Sequence, residues 1–146
     1  MLDGKTPRIS ATNTDNGILG YYKDIDDKNY RVCENFISVS FLGTVFYHKC
    51  KASLDMKIHC LKLKNKELNR ELAFYLTSII RQALKNTEYK DQISSTVLPD
   101  IKIKLPIGSR GTPDWNYMER YIEDLKSKMQ YSKLEYLKQE RLEIKI

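Results

Sequence analysis

Residues 35–50, NFISVSFLGTVFYHKC, decide the fold class of this chain. In residues 36–41 every second side chain faces the same way, which is the period of two that is typical of a β-strand. A second apolar segment, residues 44–48, follows directly after Gly43. The glycine leaves two interpretations open, namely two separate strands or one strand that bends at this residue.

Shorter alternating segments lie on both sides of this stretch. Residues 56–63 (MKIHCLKL) alternate in the same manner and predict a further strand. Residues 101–105 (IKIKL) alternate and stop at a proline, which is typical of a strand at a sheet edge. Near the amino terminus, residues 8–11 predict a short strand, and the Asn-Gly pair at 16–17 predicts a tight turn.

The hydrophobic period changes after residue 65. Apolar side chains recur there at intervals of three and four, which predicts an amphipathic helix over residues 65–85 with one buried face. Either Asn65 or Asn69 is suited to cap its first turn, because an asparagine side chain accepts a hydrogen bond from a free backbone amide. The apolar stripe consists of Leu68, Leu72, Leu76, Ile79, Ile80 and Ala83.

A second helix is predicted from Asp114 to about residue 138, after a connector of glycine and proline at 107–113. Side chains at intervals of four and three form a heptad seam along it, with a polar interruption at Ser132. A helix of roughly 37 Å is too long to be covered by one small domain, so we expect it to pair with another helix. The residues expected to pair are Met118, Ile122, Leu125, Met129 and Tyr136.

The fold class predicted from these patterns is α+β. One mixed α/β domain is expected over residues 1–112, followed by a long helix of the coiled-coil type over residues 113–146. No apolar run approaches the roughly 20 residues that cross a bilayer, and the start lacks the order of a secretory signal, so a cytoplasmic protein without membrane contact is expected. Three cysteines, an odd number without framework spacing, are expected to be reduced thiols.

The positive charge is concentrated in the first domain. The chain has a formal net charge of +6, and residues 49–110 alone contain 13 Lys or Arg against six Asp or Glu. Such an excess favours a polyanionic partner such as nucleic acid, although moderate positive charge often serves solubility alone.

Two groups of potential ligands do not support catalysis. His48, Cys50, His59 and Cys60 are four side chains of the kinds that bind zinc. His59 and Cys60, however, are neighbours on a predicted strand and point to opposite faces, which prevents them from sharing a tetrahedral site. Asp114 with Glu143 and Lys145 has the loose pattern of a metal-dependent nuclease, but that chemistry needs a strand beneath the last two residues. The chain also lacks a glycine-rich phosphate loop and a nucleophile elbow. A binding protein without catalytic residues, metal or cofactor is expected.

Four segments, in order, resemble the target-recognition domain of type I restriction enzyme specificity subunits. The similarity extends to the branch shared with type IIB-like specificity subunits, and it covers nearly the whole chain. The segments are TPRISATNTDNG (6–17), NFISVSFLGTVFYHKCKASLDMKIHCLKLKN (35–65), SSTVLPDIKIKLPI (94–107) and GTPDWNYMERYI (111–122).

The resemblance implies a bacterial, non-catalytic subunit that directs DNA methylation and cleavage by other subunits. The recognition domain would bind one half of a two-part site in double-stranded DNA. The long helix would form a homodimer, or pair with a second specificity subunit, and would dock a methyltransferase (modification) subunit; a restriction subunit would cleave. Members usually have two recognition domains, whereas this chain has one, which is expected to lack its amino-terminal part. A natural half-subunit and a truncated frame remain the two alternatives.

Such a domain needs cations that neutralise phosphates and polar loop residues that reach base edges. The phosphate contacts are expected from Arg8, Lys49, Lys51, Lys57, Lys90 and Arg110. The base contacts are expected from Asn13, Thr14, Asn16, Gln92, Ser94 and Ser95. Two alternatives remain, namely a helix-pairing or inhibitory fragment without DNA binding, and a nuclease fragment.

Overall fold

The computed structural model describes residues 1–86 and 92–144, and it falls into two compact units, Met1–Lys104 and Leu105–Ile146. The first unit contains seven strands and one α-helix among its described residues, and the second contains one α-helix. They are β1 Asp3–Ile9, β2 Ile18–Tyr22, β3 Arg31–Cys33, β4 Phe36–Ser40, β5 Val45–His48, β6 Ala52–Leu54, β7 Ile58–Leu61, α1 Arg70–Lys85 and α2 Trp115–Ile144.

The strands form two sheets, which confirms the α+β class. A four-stranded sheet has the order β2-β1-β6-β3, in which β1 and β6 run parallel and the other pairs run antiparallel. A three-stranded antiparallel sheet has the order β5-β4-β7. The stretch that decides the fold class therefore supplies the central strand of the second sheet.

Of the two interpretations at Gly43, the structure selects two strands. β4 and β5 pair antiparallel from Phe36 opposite His48 to Val39 opposite Val45, and a tight turn joins them. Gly43 has a φ of +85°, a left-handed conformation that side chains with a Cβ rarely adopt. The glycine thus closes a hairpin between the two strands.

β4 is buried along its whole length, so both of its faces are covered. Phe36 belongs to a core cluster with Ile9, Ala52, Leu54 and Ile58, which come from both sheets. α1 packs against β4 and β5, and the ring of Phe74 meets the ring of Tyr47 edge-on at 6.3 Å. The strand therefore lies between a second sheet and a helix.

The predicted first helix is confirmed with a later start. It begins at Arg70, because the side chain of Asn69 accepts a bond of 2.8 Å from the Leu72 amide and caps the first turn. The stripe expected to be buried supplies Leu72 and Leu76 to the interior. Of the two candidate caps, Asn69 is the one used.

The strand predicted over residues 101–105 is wrong. Those residues join no sheet, and the Ile101 amide donates instead to the Leu98 carbonyl within a 3₁₀ turn. The only bridge nearby is an isolated one between Ile107 and Pro113. Alternation of apolar and polar residues is not sufficient for a strand, since a strand also needs a neighbour with a free edge.

α2 begins where the sequence predicts. The carboxylate of Asp114 accepts a bond of 3.0 Å from the Tyr117 amide, which caps the first turn as expected. The helix runs from Trp115 to Ile144, beyond the end expected near residue 138. In the part of the chain that the structure describes, no helix has the length and apolarity needed to cross a membrane.

The expectation of three reduced thiols is wrong for two of the cysteines. Cys33 on β3 and Cys60 on β7 form a disulfide that joins the two sheets beside the core cluster. All three cysteines lie in the described residues, and Cys50 is the free, exposed one. The two partners are 27 residues apart in sequence and lie in different sheets, so only the packing of the two sheets reveals their proximity.

We expect one reactive thiol per chain when the protein, purified without reductant, is unfolded and titrated with a thiol reagent. Reduction before titration should raise the count to three, and the Cys50→Ser variant should give none before reduction. Three thiols before reduction would contradict the disulfide.

His48 is a buried titratable residue at the end of β5. Its Nε2 atom lies 2.9 Å from the Ser38 hydroxyl across the strand pair, and its ring lies 5.0 Å from that of Phe36. Burial lowers the pKa of His48 from its ordinary 6.5 to about 4. The imidazole is therefore neutral at pH 7 and serves the packing of the sheet.

Stability should consequently fall as the pH is lowered from 7 to 5. Because the folded pKa lies below the unfolded one, the unfolded chain binds the extra proton, and stability present above pH 6.5 is lost toward pH 4. We expect the free energy of unfolding to drop by about 1 to 2 kcal/mol over this interval. Denaturant titrations check it: His48→Gln should abolish most of the slope, and the control His59→Gln should retain it.

Candidate nucleic-acid interface

The loop between β1 and β2 contains three of the expected base contacts and is fixed to β5. The Gly17 amide donates to the Thr14 carbonyl at 2.9 Å, and Asn16 has a φ of +56°, so the predicted Asn-Gly turn is confirmed. A Cβ atom at position 17 would lie 3.1 Å from the Phe46 ring, so a glycine at this position allows the loop to approach β5 closely. The Asn16 amide nitrogen donates to the Tyr47 carbonyl at 3.2 Å.

This arrangement divides the three base-contact candidates of the loop by their accessibility to a ligand. Asn13, Thr14 and Asn16 are all exposed. The Asn16 side chain is already engaged with β5, whereas the Thr14 hydroxyl contacts the nearby Thr12 at 3.0 Å. Asn13 and Thr14 therefore present the polar groups that a base edge can reach.

The carboxyl-terminal end of α1 forms the other side of a concave surface beside this loop. Arg81 stacks on the Phe46 ring at 5.3 Å, and its Nε donates to the Val45 carbonyl at 3.0 Å. Lys85 follows one turn later, and no carboxylate lines the surface in the described part of the chain. The residues that line this surface, called the basic groove, are Ala11, Asn13, Leu42, Gly43, Thr44, Val45, Arg81, Leu84 and Lys85.

A second depression lies at the other end of β5 and contains a tighter polar network. The Tyr47 hydroxyl donates to Asn35 Oδ1 at 2.6 Å, and Asn35 Nδ2 donates to the Leu68 carbonyl at 2.9 Å. Desolvation raises the pKa of Tyr47 and keeps its hydroxyl protonated as a donor. Lys49 lines the same depression, and Arg70 there lies 5.4 Å above the Phe74 ring.

The second polar segment predicted to contact bases also adjoins the β4–β5 turn. The Ile93 amide donates to the Phe41 carbonyl at 2.7 Å, and His59 Nε2 lies 2.8 Å from the Ile93 carbonyl. These bonds place Ile93 and the exposed Gln92 beside the turn. The Ser94 hydroxyl accepts a bond from the Val97 amide at 3.3 Å and so caps local backbone, while Ser95 is exposed.

The residues expected to contact phosphates are dispersed. Lys51 forms an ion pair of 2.8 Å with Asp24, and their hydrogen bond lowers the pKa of Asp24 and raises that of Lys51. Arg8 is half-buried on β1, Lys57 is exposed before β7, and Arg110 belongs to the second unit. Lys49 is the one described candidate that lines a depression with a base-contact candidate, and Lys90 lies outside the described residues.

Sequence reasoning missed the cations that line the basic groove. Arg81 and Lys85 are four residues apart on the polar face of α1, a spacing that places both on one side of a helix. That spacing was a signal available in the sequence. The sequence contains no comparable signal for the role of the β4–β5 turn, because the residues that lie beside this turn come from distant segments of the chain.

The residues expected to pair with another helix differ in exposure along α2. Met118 is fully buried and Ile122 is half-buried, whereas Leu125 is 39% and Met129 is 72% exposed. The side chain of Tyr136 lies outside the described part. Two apolar side chains of the expected seam thus remain accessible to a partner.

Among the residues whose side chains the structure describes, no group of three or more His, Cys, Asp or Glu is arranged to hold a metal ion. The four potential zinc ligands do not form such a group, and Cys50 among them is a free, exposed thiol. His48 contacts Ser38, Cys60 is in the disulfide, and His59 contacts the Ile93 carbonyl.

Comparison with known proteins identifies the family. The model of the type I restriction modification DNA specificity domain matches residues 2–136. Over 132 residues the chain is 30% identical to a specificity subunit of a type II restriction enzyme from Heyndrickxia coagulans, covering 88% of this chain and 38% of that protein. Over 104 residues it is 32% identical to a putative type I specificity subunit of Mycoplasma pneumoniae, covering 70% of this chain and 28% of that protein.

The chain thus spans about a third of the length of the curated relatives it matches. No solved structure matches it. The family match covers both described units and includes the four segments whose resemblance the sequence indicated. This chain belongs to the family of type I restriction modification DNA specificity domains.

Proposed function

We propose that this chain is the DNA-recognising part of a restriction–modification specificity subunit, with the unit Met1–Lys104 binding double-stranded DNA. The observation that supports this most directly is the basic groove, which contains Arg81 and Lys85 and, among the residues that the structure describes, no carboxylate. It adjoins the polar loop before β2, and its β4–β5 turn also adjoins the segment 92–95. Cations beside exposed amides and hydroxyls are the combination that DNA recognition requires.

Arg81 is suited to bind a phosphate because its position is fixed before binding. Stacking on Phe46 and the bond to the Val45 carbonyl hold the guanidinium over β5. An arginine held in this manner loses less side-chain entropy on binding than a freely rotating one. Lys85 and Lys49 are exposed and would add charge at either end of β5.

Base contacts are assigned to the exposed polar side chains around the groove. Asn13 and Thr14 are exposed on one segment, and Gln92 and Ser95 are exposed on the other. Amide side chains bond the edge of adenine in two places, and hydroxyls bond several bases. Asn16 and Ser94 would mainly shape the two segments.

The catalytic steps belong, in this proposal, to other subunits. α2 would dock a methyltransferase subunit and pair with a second helix, either in a homodimer or in a longer specificity subunit, and a restriction subunit would join the same assembly. The exposed Leu125 and Met129 supply an apolar surface for this pairing. No cofactor is assigned to the chain itself.

Two other candidate functions make distinguishable predictions. A helix-pairing or inhibitory fragment is favoured by the exposed Met129, and it would assemble without specific DNA binding. A nuclease would need Glu143 on a strand near Asp114, whereas Glu143 lies on α2. Cleavage of DNA by the purified chain with Mg²⁺ alone would favour the nuclease.

Selection from a random pool of duplex DNA, using the chain mixed with its methyltransferase subunit, should enrich one sequence. Arg81→Gln and Lys85→Gln should each weaken binding to every sequence and reduce the slope of log affinity against log salt by about 1. The control Lys28→Gln removes the same charge from the exposed segment after β2 and should leave that slope nearly unchanged. Enrichment of no sequence, or an equal effect of Lys28→Gln, would refute the assignment.

The pairing role of α2 can be tested by placing a charge on its apolar surface. Met129→Asp should lower the affinity for the partner helix or the methyltransferase subunit by about tenfold or more, because an unpaired carboxylate resists burial. Ser127→Asp introduces the same charge at another exposed position of the helix and should have little effect. Sedimentation velocity of the chain, with and without the methyltransferase subunit, measures both associations. Equal effects of Met129→Asp and Ser127→Asp would contradict the pairing surface.

A further inference from the structure

Leu42 stands at the tip of the β4–β5 turn with 69% of its surface exposed. It belongs to the lining of the basic groove, between the segments that provide Asn13 and Gln92. A single exposed leucine on a protein surface needs no explanation. Leu42 differs from such a leucine because its backbone is rigidly held and cations lie around it.

The turn that presents Leu42 is held by one buried hydroxyl. Ser40 is 1% exposed, and its Oγ accepts bonds from the Leu42 amide at 3.2 Å, from the Thr44 amide at 3.0 Å and from the Thr44 hydroxyl at 2.6 Å. The Gly43 amide donates to the Ser40 carbonyl at 3.0 Å. These bonds fix the amide of Leu42 and the two residues that follow it. The backbone of Leu42 therefore directs its side chain outward.

The surroundings of Leu42 favour an anionic partner with apolar parts. Arg81 and Lys85 line the same groove, and no carboxylate does so in the described part of the chain. The apolar side chain of Leu42 lies among these cations, remains exposed to water and is not buried in the protein core. DNA matches both properties, because its phosphates are anionic and its bases offer methyl groups and ring faces.

We propose that Leu42 is the apolar base-contacting residue of this interface and contributes to sequence discrimination. This inference rests on the proposed DNA-binding function and assigns one residue within it. The contact would be made either with the C5-methyl group of a thymine or with the ring faces at an opened base step. Both sources offer the same apolar chemistry to the leucine.

The test uses the full chain with its methyltransferase subunit and the duplex that selection yields. Leu42→Ala should weaken binding to that duplex about fivefold or more, because several methyl and methylene groups lose their contact. Binding to an unrelated duplex and the salt dependence should stay unchanged, since no phosphate contact is removed. The matched control is Leu19→Ala on β2, which truncates a leucine that is 58% exposed outside the groove and should alter neither affinity.

Two probes in the DNA distinguish the sources of the contact. Replacement of single thymines by deoxyuridine should reproduce the loss at one position for a methyl contact, with no further loss in Leu42→Ala. A 2-aminopurine base at the step should gain fluorescence with the wild-type chain, but not with the variant, for a contact with opened bases. If neither probe gives its response at any position, the proposed base contact is overturned.

Failure of this inference and failure of the proposed function give different results. If the wild-type chain binds its selected duplex specifically and Leu42→Ala binds it equally well, the role of Leu42 is refuted and the function stands. If the wild-type chain binds no sequence specifically, both are refuted. Circular dichroism and thermal unfolding of the variant should match those of the wild type, because the exposed side chain contributes little to the core.

Discussion

The burial of β4 on both faces is the constraint on which the rest of the first unit depends. One face meets the core cluster of Ile9, Ala52, Leu54 and Ile58, and α1 packs on the same three-stranded sheet. A strand covered on both sides cannot shift its register without exposing apolar side chains and burying new ones. The positions of β5, of the turn at Gly43 and of α1 relative to the sheet are therefore fixed together.

That constraint also places the polar groups of the interface. The Phe46 ring on β5 lies close to Gly17 and beneath the Arg81 guanidinium, so the loop before β2 and the end of α1 are both held at this strand. Ser40, at the buried end of β4, anchors the turn beside them. Loops fixed by a rigid sheet provide a preorganised surface, which lowers the entropy lost on binding a ligand.

A buried hydrogen bond and a disulfide contribute to the same rigidity of the two sheets. His48 bonds Ser38 inside the sheet, and the Cys33–Cys60 disulfide links the two sheets. His48 and Cys60 had the appearance of metal ligands in the sequence, yet each has a structural partner. A residue type suited to catalysis thus indicates function only after its partners in space are known.

The sequence by itself determined the α+β class, the first helix and the cap of the second helix, because periodicity and capping depend on residues close in the chain. It also determined the family, through four segments in order. Only the tertiary structure decided the disulfide, the absence of a strand at 101–105 and the meeting of Arg81, Lys85 and Leu42 with the loop before β2. These features depend on contacts between residues far apart in sequence, and hydrophobic patterns specify which face is buried but not which segment covers it.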